Sequence, residues 1–187
     1  MVRLETIVMR DKTHVIVKPA ATLRCNMAES LVLWIRNDIA PAVAMLGAPL
    51  SEIANYDSFD CRSRNRIVGA RLSEHGKANA IDIRAFKLKN GTVIEPTNPI
   101  VSKVFRETMR KSACARFMTV LGPGSDGYHE SHVHVDLAER ARGYRICQWD
   151  VREPQPTPVI KEPTALGPTA PIQNNGLKIL QDKPRDQ

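Results

Sequence analysis

The sequence predicts an α+β domain built on a small antiparallel sheet with helices packed on one side. Three observations carry that expectation. Apolar residues at helical spacing are confined to two segments, short alternating runs lie between and after them, and an Asn-Gly pair separates two of those runs. A chain of 187 residues holds one sizeable core with some length to spare.

The first helix is expected from Asn26, a cap residue with Glu29 three positions on, followed by Leu31, Trp34, Ile35 and Ile39 at helical spacing. Pro41 kinks or ends it, and Gly47 closes the region. Next, "NAIDIRAF" and "TVIEP" flank "KLKNG", a hairpin signal. The second helix is expected from Asn98 as cap and Pro99 at the first helical position, with Val101, Val104, Phe105 and Met109 as its buried stripe. "RFMTVL" and "HVHVDL" read as further strands, and no internal repeat is present. From Glu153 the texture changes: residues 153–187 hold seven of the 13 prolines and little apolar periodicity. Such a segment buries too little to offset its ordering entropy, so a disordered tail is expected there. The domain is therefore expected over 1–152, with folded structure from about residue 12.

Composition narrows the function. The apolar fraction of 42% and charged fraction of 25% are those of a globular domain. There is no apolar run long enough for a transmembrane helix, and "MVRLETIVMRDK" lacks the apolar stretch of a secretion signal. Either the protein is cytosolic or an export signal has been removed. Net charge is +7, and residues 153–187 carry four basic and four acidic groups, so the excess lies in the domain. A basic surface favours polyanions, including anionic cell-wall polymers. Sparse aromatics and the lack of any helix-turn-helix signature argue against nucleic acid. Cys25, Cys61, Cys114 and Cys147 contain no Cys-x-x-Cys pair. They fit two disulfides of open connectivity in an oxidising compartment, or four unrelated buried thiols.

Chemistry concentrates in two segments. Of five histidines, His75 lies in "LSEHGKANAIDI" and His129, His132 and His134 lie in "YHESHVHVDL"; only His14 stands apart. On a strand, His132, His134 and Asp136 share one face while Val133, Val135 and Leu137 share the other. Ala80, Asp82 and Arg84 likewise oppose Ile81 and Ile83. Paired in one sheet, the two strands would bring His134, Asp82 and His75 together; otherwise His-x-His is a solvated strand face. Two imidazoles and one carboxylate are the ligand set of a catalytic zinc site whose fourth position stays open. Zinc there lowers the pKa of a bound water to about 7 and polarises a carbonyl, and a general base must sit within reach. Of His132 and His134, one can bind metal while the other serves as base; spacing alone does not say which.

The order Ser-x-His-x6-Asp followed by His-x2-His-x-His resembles the Hedgehog/DD-peptidase fold, which includes D-alanyl-D-alanine carboxypeptidases and murein endopeptidases. More closely, "CRSRN", "LSEHGKANAIDI", "LGPGSDGYHESHVHVDLAER" and "YRIC" resemble the bacterial extensin-like C-terminal domain family, over roughly Val15 to Cys147. The resemblance implies that His75, Asp82 and His134 bind zinc and that His132 is the general base. It implies that Arg62 holds a substrate carboxylate or the oxyanion, with Ser73, Tyr128 and His129 lining the substrate site. Asp126 would shape the cleft, and Asp136 would orient a ligand imidazole. It further implies export to the periplasm or beyond, with disulfides Cys25–Cys61 and Cys114–Cys147. The expected function is hydrolysis of peptide bonds in peptidoglycan stem peptides or cross-links. The alternatives are a zinc-containing module that binds wall peptides without cutting them, and a disulfide-stabilised scaffold without metal. One departure stands out: Ala78 occupies the place, three residues after the first histidine, where the wider fold usually has glycine.

Overall fold

The computed structural model describes residues 1–154. The expected tail thus lies, from residue 155 onward, outside the described residues. Structure begins well before residue 12, because β1 (Val2–Val8) pairs antiparallel with β2 (His14–Leu23). Next come α1 (Cys25–Trp34), a π turn (Ile35–Ile39), α2 (Ala40–Ala44) and β3 (Leu50–Asp57). Short 3₁₀ turns at Arg64–Arg66 and His75–Lys77 precede β4 (Ala80–Leu88) and β5 (Val93–Ile94). The chain continues with α3 (Lys103–Arg116), β6 (Thr119–Leu121), β7 (Val133–Asp136) and β8 (Ile146–Gln148).

The α+β class holds, but the sheet is larger than expected and mixed. Its eight strands run β1-β2-β3-β4-β7-β6-β8, with β5 beside β4. The β2–β3 and β6–β8 pairs are parallel and the others antiparallel. The hairpin forms as predicted: Gly91 takes φ +87°, which the Asn-Gly turn requires of its second residue.

Both helices depart in detail. Asn26 lies inside the first turn of α1, its Oδ1 accepting from Met27 N–H at 2.9 Å, and Arg24 precedes the helix. Pro41 does not end the helix. The wider π turn stops just before it, and α2 resumes with proline, which has no N–H to donate, in its first turn. In α3 the cap is Ser102 rather than Asn98, its Oγ accepting from Phe105 N–H. Val104 falls on the outer face at 77% exposure, while Phe105, Met109 and Ala113 are buried.

One apolar cluster joins Met27, Leu31 and Trp34 of α1 and Phe105 and Met109 of α3 to Ile81, Ile83, Val133, Val135 and Val120 of the sheet. Trp34 meets Phe117 edge-on, and its indole N–H donates to Ser112 Oγ at 2.9 Å, which satisfies the only polar atom that side chain buries. Each such buried side chain contributes roughly 1.5–3 kcal/mol. The opposite face of the same central strands is polar, and it carries the site.

Two bulges shape that face. Between Ala54↔Ala85 and Asn55↔Ile83 the register advances one residue on β3 and two on β4, so Arg84 is extra and points to solvent. Between Asn55↔Ile83 and Asp57↔Asp82 the imbalance reverses, and Tyr56 is the extra residue. Bulges re-aim side chains, and Tyr56 is turned onto the histidine cluster.

Cys114 and Cys147 are joined, tying α3 to β8. The second expected bridge is absent: Cys25 and Cys61 are both free and exposed, one opening α1 and the other in the loop after β3.

Candidate metal centre

His75 and Asp82 are brought together by a single reversal of the chain. His75 opens a 3₁₀ turn, Ala78 takes the left-handed conformation (φ 52°, ψ 34°), and β4 begins at Ala80. Glu74, which is buried, clamps this reversal: its carboxylate accepts from Lys77 Nζ and from Asn79 Nδ2, each at 2.7 Å. The departure from glycine at Ala78 therefore sits at a backbone conformation that glycine adopts freely and alanine does not. The loop nonetheless closes, with Ala78 N–H donating to the His75 carbonyl at 2.9 Å.

In the β4–β7 ladder Asp82 lies directly opposite His134, flanked by Ile81↔Val135 and Ile83↔Val133 on the core face. His134 Nδ1 stands 2.8 Å from Asp82 Oδ1 and 3.1 Å from His75 Nε2, and His75 Nε2 is 3.3 Å from Asp82 Oδ1. All three residues are buried, and the group could hold a metal ion.

The outer nitrogen of each ring settles what faces the centre. His75 Nδ1 is 2.8 Å from the Ser58 carbonyl, which only accepts, so Nδ1 carries the proton and Nε2 a lone pair. His134 Nε2 is 3.0 Å from Asp136 Oδ2, so it too carries the proton and leaves Nδ1 facing inward. Three acceptors then converge where only a cation satisfies all of them. Zinc–ligand bonds of about 2.0–2.1 Å in a tetrahedron separate neighbouring donors by about 3.3 Å, close to the spacing found.

Electrostatics says the same. Burial opposes charge on His134, but Asp136 and Asp82 outweigh it and raise its pKa to about 10. Burial likewise favours a protonated Asp82, yet its bonds with His134 and His75 hold the carboxyl well below the usual range. In the metal-free chain a proton supplies the positive charge this pocket is built around.

The remaining predicted residues gather nearby, in a cleft of about 620 Å³. His132 Nε2 lies 3.5 Å from Asp82 Oδ2, and His132 Nδ1 is buried with no partner among the described residues. Burial lowers its pKa, against the opposing pull of Asp82, so the ring is neutral near pH 7. Tyr56 stacks on it at 4.9 Å and 22°. His129 packs against both His132 and His134 and is held by Asp126 Oδ1 at 2.7 Å. Burial would raise the Asp126 carboxyl, but bonds from His129 and Tyr128 N–H lower it. Tyr128 lines the cleft and is 58% exposed. Ser73 also lines it, although its Oγ accepts from His75 N–H at 3.3 Å and so braces the turn.

Arg62 reaches the cleft but is already engaged. Its Nη2 donates to Asp57 Oδ2 at 3.0 Å, and its Nε lies 3.1 Å from Asp60 Oδ2 at an angle too poor for a hydrogen bond. Asp57 in turn stands 3.8 Å from His75 Nδ1. Sequence reasoning missed Tyr56, Asp57, Ser58 and Glu74. It also missed Arg140, at the end of the quoted "HVHVDLAER" run.

No curated protein and no solved structure matches the chain significantly. The family described as extensin-like protein C-terminus matches residues 1–148, and the chain belongs to that family.

Proposed function

We propose that the chain is a zinc-dependent peptidase acting on peptide bonds of peptidoglycan stem peptides or cross-links. The observation that carries this reading is the buried triangle of His75 Nε2, Asp82 Oδ1 and His134 Nδ1, opening on a cleft beside an uncommitted imidazole. A mixed nitrogen and oxygen donor set suits zinc, and the resemblance to peptidases of the bacterial wall supports the substrate class. The Cys114–Cys147 disulfide favours an oxidising compartment such as the periplasm.

Zinc, when bound, would polarise the scissile carbonyl and acidify water. The rest of the chemistry falls to the chain. His132 is the general base: neutral near pH 7 and held in plane by Tyr56, it takes the proton of the attacking water and returns it to the leaving amine nitrogen. Asp136 and the Ser58 carbonyl hold the two ligand rings in the tautomers that turn lone pairs inward. Asp126 fixes His129 as a wall of the cleft.

The test is digestion of purified sacculi, with metal content measured on the same preparation. About one zinc per chain and new muropeptides that disappear with chelator are expected. Bound zinc without new muropeptides would instead mean a binding module, and a carefully prepared chain that takes up no zinc would end the reading.

A further inference from the structure

We infer that Arg140, together with Arg64, forms a subsite for a carboxylate group of the bound peptide; this rests on the reading of the cleft as a peptide site. The arginines lining the cleft are not equivalent. Arg62 faces Asp57 and Asp60, and Arg66 donates to Asp60 at 2.6 Å, so their charges are already met. Arg140 is held by neutral acceptors instead. Its Nη1 donates to the Met118 carbonyl at 3.0 Å and its Nη2 to Thr119 Oγ1 at 2.6 Å, with no carboxylate partner among the described residues.

A guanidinium pinned this way has a charge that no carboxylate meets and three unspent N–H groups, and little side-chain entropy remains to be lost on binding. Arg64 is exposed and likewise has no side-chain partner among the described residues. Both arginines line the metal-centre cleft and also a neighbouring cavity of about 430 Å³, so they stand on the wall between the two. Glu74 shares that wall, but its carboxylate is engaged by Lys77 and Asn79. Glu139 adds one exposed carboxylate to the smaller cavity, set against Arg71 there. The shared wall is left positive.

Position supports the role. Thr119, which anchors Arg140, is paired with Asp136 in the β6–β7 ladder, and Asp136 holds His134. The subsite is thereby fixed to the same strands as the metal centre. A planar carboxylate matches the guanidinium fork and takes paired charge-assisted bonds.

The experiment compares one tetrapeptide with a free C-terminal carboxylate and its C-terminal amide, each titrated by calorimetry into the zinc-loaded full chain. Charge-assisted bonds predict a preference of at least about tenfold for the acid. Arg140→Gln should abolish that preference, and Arg62→Gln should keep it. A preference that survives in Arg140→Gln, or is lost in Arg62→Gln, overturns the assignment. Should Arg140→Gln fail to fold, the wild-type chain still decides: the acid peptide, and not the amide, should shift the Arg140 Nε–H resonance, and an unmoved resonance refutes the subsite. Acid and amide binding equally would also refute it while leaving the peptidase reading intact. Muropeptide release tests that reading separately.

Discussion

Asp136→Asn probes whether the inward lone pair of His134 is set by its neighbour. In the wild type both carboxylate oxygens are used: Oδ2 accepts from His134 Nε2 at 3.0 Å and Oδ1 from Ala138 N–H at 2.9 Å. Asparagine offers one acceptor oxygen for these two donors. If that oxygen stays with Ala138, the amide N–H faces His134 Nε2, and the ring must move its proton to Nδ1, the atom needed for metal. If the oxygen turns to His134, the buried Ala138 N–H loses its partner, which costs roughly 1–3 kcal/mol. Either way Asp136, only 4% exposed, cannot be replaced by solvent. Loss of such a partner typically weakens metal affinity 10- to 100-fold, or about 1.4–2.7 kcal/mol. Competition against a chromophoric zinc chelator at pH 7 reads this directly, with circular dichroism confirming the fold. A dissociation constant within twofold of wild type would refute the tautomer argument.

His132→Ala should keep zinc and lose turnover by at least about 100-fold, as expected for removal of a general base; zinc lost here but kept in His134→Ala would reverse the two roles. With His132 intact, kcat/KM should rise through a pKa lower than that of a free imidazole, because burial disfavours its charged form. The metal-free chain should lose thermal stability as pH rises from 6.5 towards 10. His134 is raised to about 10 in the fold, so its contribution is complete below 6.5 and fades through that window, and zinc loading should remove the trend. Ala78→Gly should change stability by less than about 1 kcal/mol, since relief of left-handed strain is set against a buried methyl and a looser unfolded chain; Ala78→Val should cost more than that, measured by urea unfolding. Reducing Cys114–Cys147, which spans 33 residues, should cost about 3–4 kcal/mol by loop-closure entropy; an unchanged denaturation midpoint would contradict it.

The group that could hold a metal ion was more legible in the sequence than the sheet that positions it. Four of five histidines fall in two segments, and strict alternation in "HVHVDL" assigns His134 and Asp136 to one face whatever the partner strand. Strands β2 and β3 were not legible. β2 contains Pro19 followed by two alanines, and β3 carries Ser, Glu, Asn and Asp, so neither reads as a continuous β-rich segment. The bulge at Tyr56 breaks the very alternation by which a strand is recognised, which is why Tyr56 went unnoticed. Disulfide pairing was not legible in the residues themselves, because it depends on distances between distant turns that spacing does not encode; of the two bridges the resemblance implied, Cys114–Cys147 forms and Cys25–Cys61 does not.

What turned two separate strand faces into one site is register, and the core decides it. Alternation places Asp82 and His134 on polar faces but does not put them opposite each other. The Ile81↔Val135 and Ile83↔Val133 pairs do, because all four side chains are fully buried in the cluster shared with α1 and α3. A slip of one residue would turn His134 and Asp136 into that cluster and expose two valines. It would leave an unpaired carboxylate in apolar surroundings, at a cost of several kcal/mol. The apolar half of each strand therefore specifies where its polar half meets, and a polar substitution at Val135 should disturb zinc binding although Val135 offers no ligand atom.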